Sequence, residues 1–197
     1  KDAKLSIRLS VDGKVAQRRD VVIDEIASGH VCRIYDLSIN LPKVEKPAAM
    51  KLYATLDCKD LFVENEWELY LFPEVKKTDA GEVVVCDAMS ADELKKSLAE
   101  GKKVLLLGSE PFASLPTTFR IALAGRCSGN LATVIADHPI FEDMPHDGFC
   151  GWQFESLLEK GNAVCFECEN VPFNPIVEVV STHKFAIKQS ALFEFDA

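Results

Sequence analysis

A chain of 197 residues, 48% hydrophobic and 27% charged, has the composition of one large or two small folded domains, which argues against general disorder. The formal charge of −9, with no basic cluster to offset it, argues against a phosphate-binding surface and so against nucleic acid as a partner. Seven cysteines, an odd number, exclude a complete disulfide framework, and no apolar run reaches membrane-spanning length, so no membrane insertion is expected.

From Leu5 the chain alternates, with Leu5, Ile7, Leu9 and Val11 on one face and Ser6, Arg8 and Ser10 on the other. A period of two predicts a half-buried strand, and Asp12-Gly13 predicts a hairpin turn after it. Val15–Ile26 resumes as strand. His30–Leu41 reads as another, with a change of parity that predicts a bulge near Tyr35-Asp36. Met50, Leu52, Ala54, Leu56 and Cys58 alternate again, as do Trp67, Leu69 and Leu71. Strands of this length, separated by turns, predict an antiparallel, Ig-like β-sandwich over residues 1–74. Trp67 keeps parity with Leu69 and Leu71, so it is read as a core ring. Cys32 and Cys58 are not assigned as an Ig-type pair.

Residues 75–82 are polar and charged, and serve as the linker. Val83–Cys86 is a short continuous apolar run that suits a buried parallel strand. Ser90 and Glu93 have the spacing of a capping box, Leu94 and Leu98 give a helix its apolar face, and Gly101 is placed to end it. Val104–Leu107 is the next strand, so a βαβ unit is expected. Phe119–Ala124, Leu131–Ile135, Ala163–Cys168, Ile176–Val180 and Ala191–Phe195 read as further strands. The expectation for residues 83–197 is an α/β domain with a mostly parallel sheet. Dinucleotide and P-loop glycine patterns are absent, and no cofactor is expected.

Within this half, Asp137–Phe154 (DHPIFEDMPHDGFCGWQF) stands out. His138-Pro139 forces an extended turn, Pro145-His146-Asp147-Gly148 makes a second, and Phe149, Trp152 and Phe154 supply a dense aromatic cluster. This stretch resembles the C-terminal accessory region of certain family 2 glycoside hydrolase proteins, the β-galactosidase-like enzymes of gut Bacteroidetes. The likeness extends over Leu52–Pro73, Val83–Leu107 and Ile176–Phe195. In those proteins a sugar-binding jelly roll, Ig-like domains and a catalytic barrel come first. A small β-sandwich and a module resembling a glutamine amidotransferase or flavodoxin fold come after them. The resemblance implies carbohydrate metabolism in the periplasm or at the cell surface. It also implies a catalytic barrel outside these residues, with the catalytic domain of the same polypeptide or a partner subunit, and a glycan, as partners. Cysteines lying in or beside apolar runs suit a reducing compartment instead. The opening KDAKLSIRLS has no signal-peptide core and no initiating Met, and is read as that of a mature product or an excised fragment.

Three groups of residues carry candidate chemistry. Aromatic faces with polar neighbours suit sugars, so Trp152, His146, Asp147 and Phe149 are the candidate glycan contacts. Gly125-Arg126-Cys127-Ser128-Gly129 matches the G-x-C-x-G nucleophile elbow of glutamine amidotransferases. The alternative reading is therefore a cysteine-dependent hydrolase or amidotransferase-like enzyme using Cys127 with His138 or His183. Asn130-Leu131-Ala132-Thr133-Val134, just after this motif, reads as strand, where an elbow needs a helix. Cys165-Phe166-Glu167-Cys168 lies in a predicted strand that points its two thiols to opposite sides, so both are read as structural and no metal site is expected.

Overall fold

Alternation at the start of the chain produces a strand pair. The computed structural model describes residues 3–25, 27, 29–74, 79–119, 127–128, 133–169, 172–180 and 187–196. In it, β1 (Ala3–Val11) and β2 (Lys14–Ile23) form an antiparallel hairpin. Asp12 and Gly13 turn the chain at φ of 46° and 75°, the left-handed values that match a two-residue turn to strand twist. Asp12 anchors the turn further, because its N–H donates to Ala49 O at 2.9 Å and its carboxylate accepts from the Ala49 N–H at 3.1 Å. With β3 (Ala48–Cys58) and β4 (Leu61–Leu71) the strands form one antiparallel sheet in the order β2-β1-β3-β4.

Register carries the alternation across all four strands. Val21, Leu5, Leu56 and Val63 form one row and Gln17, Leu9, Leu52 and Trp67 another, so one face is largely apolar. Leu9, Ala48, Met50 and Leu71 are its buried centre, with Ile39 and Val44 packed over it. The expected sandwich is not what forms: among the described residues this unit has a single sheet. His30–Leu41 is not a strand, and Val31 and Leu41 are exposed. Alternation can make a segment half-buried, but a strand also needs a neighbour for its backbone groups, and among the described residues this segment pairs with no strand. Trp67 consequently is no core ring. It is 44% exposed, on the edge strand β4.

The chain divides into two compact units, residues 1–74 with 143–145 and residues 75–142 with 146–197. In the second unit β5 (Val84–Cys86) and β6 (Val104–Leu106) pair in parallel with α1 (Ala91–Ala99) between them. The capping box is present: the Glu93 N–H donates to Ser90 Oγ at 3.4 Å and the Ser90 N–H donates to Glu93 Oε2 at 3.0 Å. Gly101, at φ 75°, closes the helix by donating to Leu98 O at 2.8 Å.

Parallel pairing does not continue. The rest of the unit holds β7 (Ser114–Thr118), β8 (Cys127–Ser128), β9 (Thr133–Ile135), α2 (Glu155–Glu159), β10 (Asn162–Cys165), β11 (Asn174–Val180) and β12 (Lys188–Glu194). The strands make a six-stranded sheet, β8-β7-β10-β12-β11-β9, antiparallel except for the two-residue β7/β8 pair. The mostly parallel amidotransferase- or flavodoxin-like domain expected for residues 83–197 is therefore overturned. Uninterrupted apolar runs usually mark parallel strands because these are covered on both faces. Here central antiparallel strands are covered in the same way, with Ala163, Val164 and Cys165 of β10 and Ile176, Val177 and Val179 of β11 all buried.

Candidate functional site

Within the second unit, residues of α1, β6, β10, β11 and β12 line a groove of about 730 Å³. Leu94 and Leu98, one helical turn apart, line it together with Val164, Ile176 and Leu192. The size is that of small-molecule sites. Two of the glycines that line it have no room for a side chain. A Cβ on Gly108 would collide with the Asp87 carbonyl oxygen, and one on Gly161 with the Leu157 carbonyl oxygen.

Polarity enters the groove through His138, which caps the 3-10 turn Pro139–Phe141. The Ile140 N–H donates to its Nδ1 at 3.2 Å, which leaves Nε2 as the protonated nitrogen. Nε2 lies 3.4 Å from Glu194 Oε1 at the end of β12. Lys102, Lys160 and Asp196 add charge around the rim. At the other extreme of polarity, Phe112, Phe193 and Phe195 line the wall and join Phe166 and Phe173 in one aromatic cluster. Its closest pair is Phe173–Phe193, 4.7 Å between centroids and edge-to-face. Neither feature was visible in the sequence, because both join residues far apart in the chain.

The Asp137–Phe154 segment is pinned by Phe141, Cys150 and Phe154, all buried, with Phe141 edge-to-face on Phe154 at 5.4 Å. His146 lies edge-to-face on Phe141 at 5.8 Å and accepts the Gly148 N–H at Nδ1, 3.1 Å. Asp147 and Phe149 are exposed. Trp152 is 67% exposed and rests on the buried Phe119, with centroids 5.1 Å apart. The four candidate glycan contacts thus share a segment but not a neighbour, since His146 packs on Phe141 and Trp152 on Phe119.

Cys127 lies in β8, where it pairs with Thr117. Its side chain, the flanking residues 125, 126, 129 and 130, and His183 lie outside the described residues. Cys150 is the thiol of the pinned segment. Burial pushes it up to about 11, against a hydrogen bond with Thr133 that pulls the other way. Cys165 is buried and accepts from Gln189 Nε2 at 3.1 Å, the setting of a structural cysteine. Cys168, however, lies not in a strand but in the 3-10 turn Phe166–Cys168, exposed. Among the described residues no three His, Cys, Asp or Glu side chains gather as a metal site. No described helix is long and apolar enough to cross a membrane.

Residues 84–197 match a family model described as Domain of unknown function (DUF8487), and residues 1–73 match a second, Domain of unknown function (DUF8488). No curated protein matches the chain.

Proposed function

Taking as premise that the chain belongs to the DUF8487 family, we propose that it is a non-catalytic accessory region of a larger glycan-acting protein, in the manner of the family 2 glycoside hydrolases it resembles. It would work in the periplasm or at the cell surface, with catalysis supplied by another domain or subunit. The observation that carries this reading is Trp152. A large ring held on Phe119 and 67% exposed is a fixed, flat platform, the shape that stacks on the apolar face of a sugar ring. Glycan contact through such a platform needs no catalytic group.

Native affinity electrophoresis of the whole chain against a panel of soluble polysaccharides tests this. Wild type is expected to be retarded by at least one, and Trp152→Ala to lose about tenfold in affinity, which corresponds to ~1.4 kcal/mol. Thermal unfolding of the variant should be nearly unchanged. No retardation of wild type, or a variant that binds as well as wild type, would count against the reading.

A further inference from the structure

The sheet of the first unit ends on both sides in an unpaired strand. Among the described residues β2 pairs with β1 alone and β4 with β3 alone. From Leu61 to Leu69 every residue of β4 is exposed, and β2 is mostly exposed as well. Open edges of this length are templates for another strand.

What each edge presents is complementary to the other. The rows that cross the whole sheet begin on β2 and end on β4, among them Val22-Lys4-Asp57-Phe62, Val21-Leu5-Leu56-Val63 and Arg18-Arg8-Tyr53-Glu66. Antiparallel pairing throughout makes β2 run opposite to β4, so a second copy placed with its β2 beside β4 continues the alternation of directions. Continuing the rows sets Phe62 beside Val22, Val63 beside Val21 and Glu66 beside Arg18. Phe62 and Val22 are 67% and 77% exposed on the otherwise polar face. Each is an apolar anomaly alone and a cross-strand pair together. Glu64, Glu66 and Glu68 make β4 acidic, whereas β2 carries Lys14, Arg18 and Arg19. One row opposes like charges, Glu64 and Asp20, but Asp20 is already held by Lys4 at 2.8 Å.

We propose that this face of the protein is an interface between copies, in which the β4 edge of one chain pairs antiparallel with the β2 edge of the next. Such a contact is heterologous, so it leads to a ring if the rotation closes and to an open array if it does not. Glu66 donates its N–H to its own neighbour, Asn65 Oδ1, at 3.0 Å, and the incoming strand takes that donor over.

Sedimentation velocity of the whole chain over a range of concentrations is the test. Wild type is expected to gain mass as concentration rises. Glu66→Arg and Arg18→Glu, both at exposed side chains, should each weaken association about tenfold, and an equimolar mixture of the two should restore it. Phe62→Lys should weaken it as well, without charge reversal at the Glu66 row. A wild type that stays monomeric at every concentration overturns the proposal. So does a response to Glu66→Arg without one to Arg18→Glu, or a mixture that fails to associate.

Discussion

Trp152 rests on Phe119 with ring centroids 5.1 Å apart and planes inclined at 44°. The support is itself tied down, since the Phe119 N–H donates to Glu159 Oε2 of α2 at 2.9 Å. Trp152 opens the 3-10 turn that runs directly into α2, so platform and support share one anchor. The two rings should respond differently to truncation. Phe119→Ala, which opens a cavity under the platform, is expected to cost about 3 kcal/mol in urea unfolding. Trp152→Ala, at an exposed ring, should cost about 1 kcal/mol or less. Equal losses at both positions would mean that Trp152 is chiefly a structural ring.

Gly108 and Gly161 have no room for a side chain, and in both cases the obstacle is backbone. A carbonyl oxygen cannot rotate aside as a side chain does, so the backbone itself must shift. Gly108→Ala and Gly161→Ala are each expected to destabilise the protein by about 1–3 kcal/mol. Gly148, at φ 84° with open space around its Cα, offers a contrast: alanine there is resisted by backbone conformation rather than by collision. A melting curve of Gly108→Ala superimposable on wild type would contradict the close approach.

Asp20 links electrostatics to pH. A hydrogen bond from Lys4, then one from Ser6, holds its carboxyl down to about 2 from the ordinary 3.8. A carboxyl lowered in the folded state stabilises it above the unfolded value, and this contribution is lost as pH falls from about 4 through about 2. Carbon-detected NMR titration of Asp20 should show the low midpoint, and Lys4→Met should move it up towards the ordinary value. An unchanged midpoint in that variant would remove Lys4 as the main cause.

Cys150 behaves in the opposite sense. Its thiol is pushed up to about 11 by burial, so the folded state holds its proton longer than the unfolded state does. Stability is therefore expected to decline as pH rises from about 9 through about 11. At neutral pH Cys150 should resist thiol reagents in the native protein, while the exposed Cys32 and Cys168 react. Mass mapping of labelled peptides separates the sites, and prompt labelling of Cys150 would show that the Asp137–Phe154 segment opens.

Local chemistry was legible from the residues wherever neighbours in sequence are neighbours in space. The Asp12-Gly13 turn, the Ser90/Glu93 box, the Gly101 stop and the alternation of β1 and β3 all depend on groups a few positions apart. Sheet partners depend on groups far apart, and there the pattern misleads. His30–Leu41 has a strand's pattern and, among the described residues, no strand to pair with. The apolar runs of β10 and β11 look parallel because burial on both faces, not strand direction, is what an apolar run records.

The candidate sites divide in the same way. Trp152, His146, Asp147 and Phe149 stand out as a dense local cluster, and the segment carrying them is pinned by buried Phe141 and Phe154. The groove, the His138–Glu194 pair and the phenylalanine cluster had no sequence signature, since each is assembled from several strands. By itself, then, the sequence determined turns, caps and which faces are apolar, because those depend on steric preference and short-range hydrogen bonding. Only the tertiary structure decided which strands meet and in what direction. Backbone pairing is indifferent to side-chain identity, and the choice is made by burial summed over the whole unit.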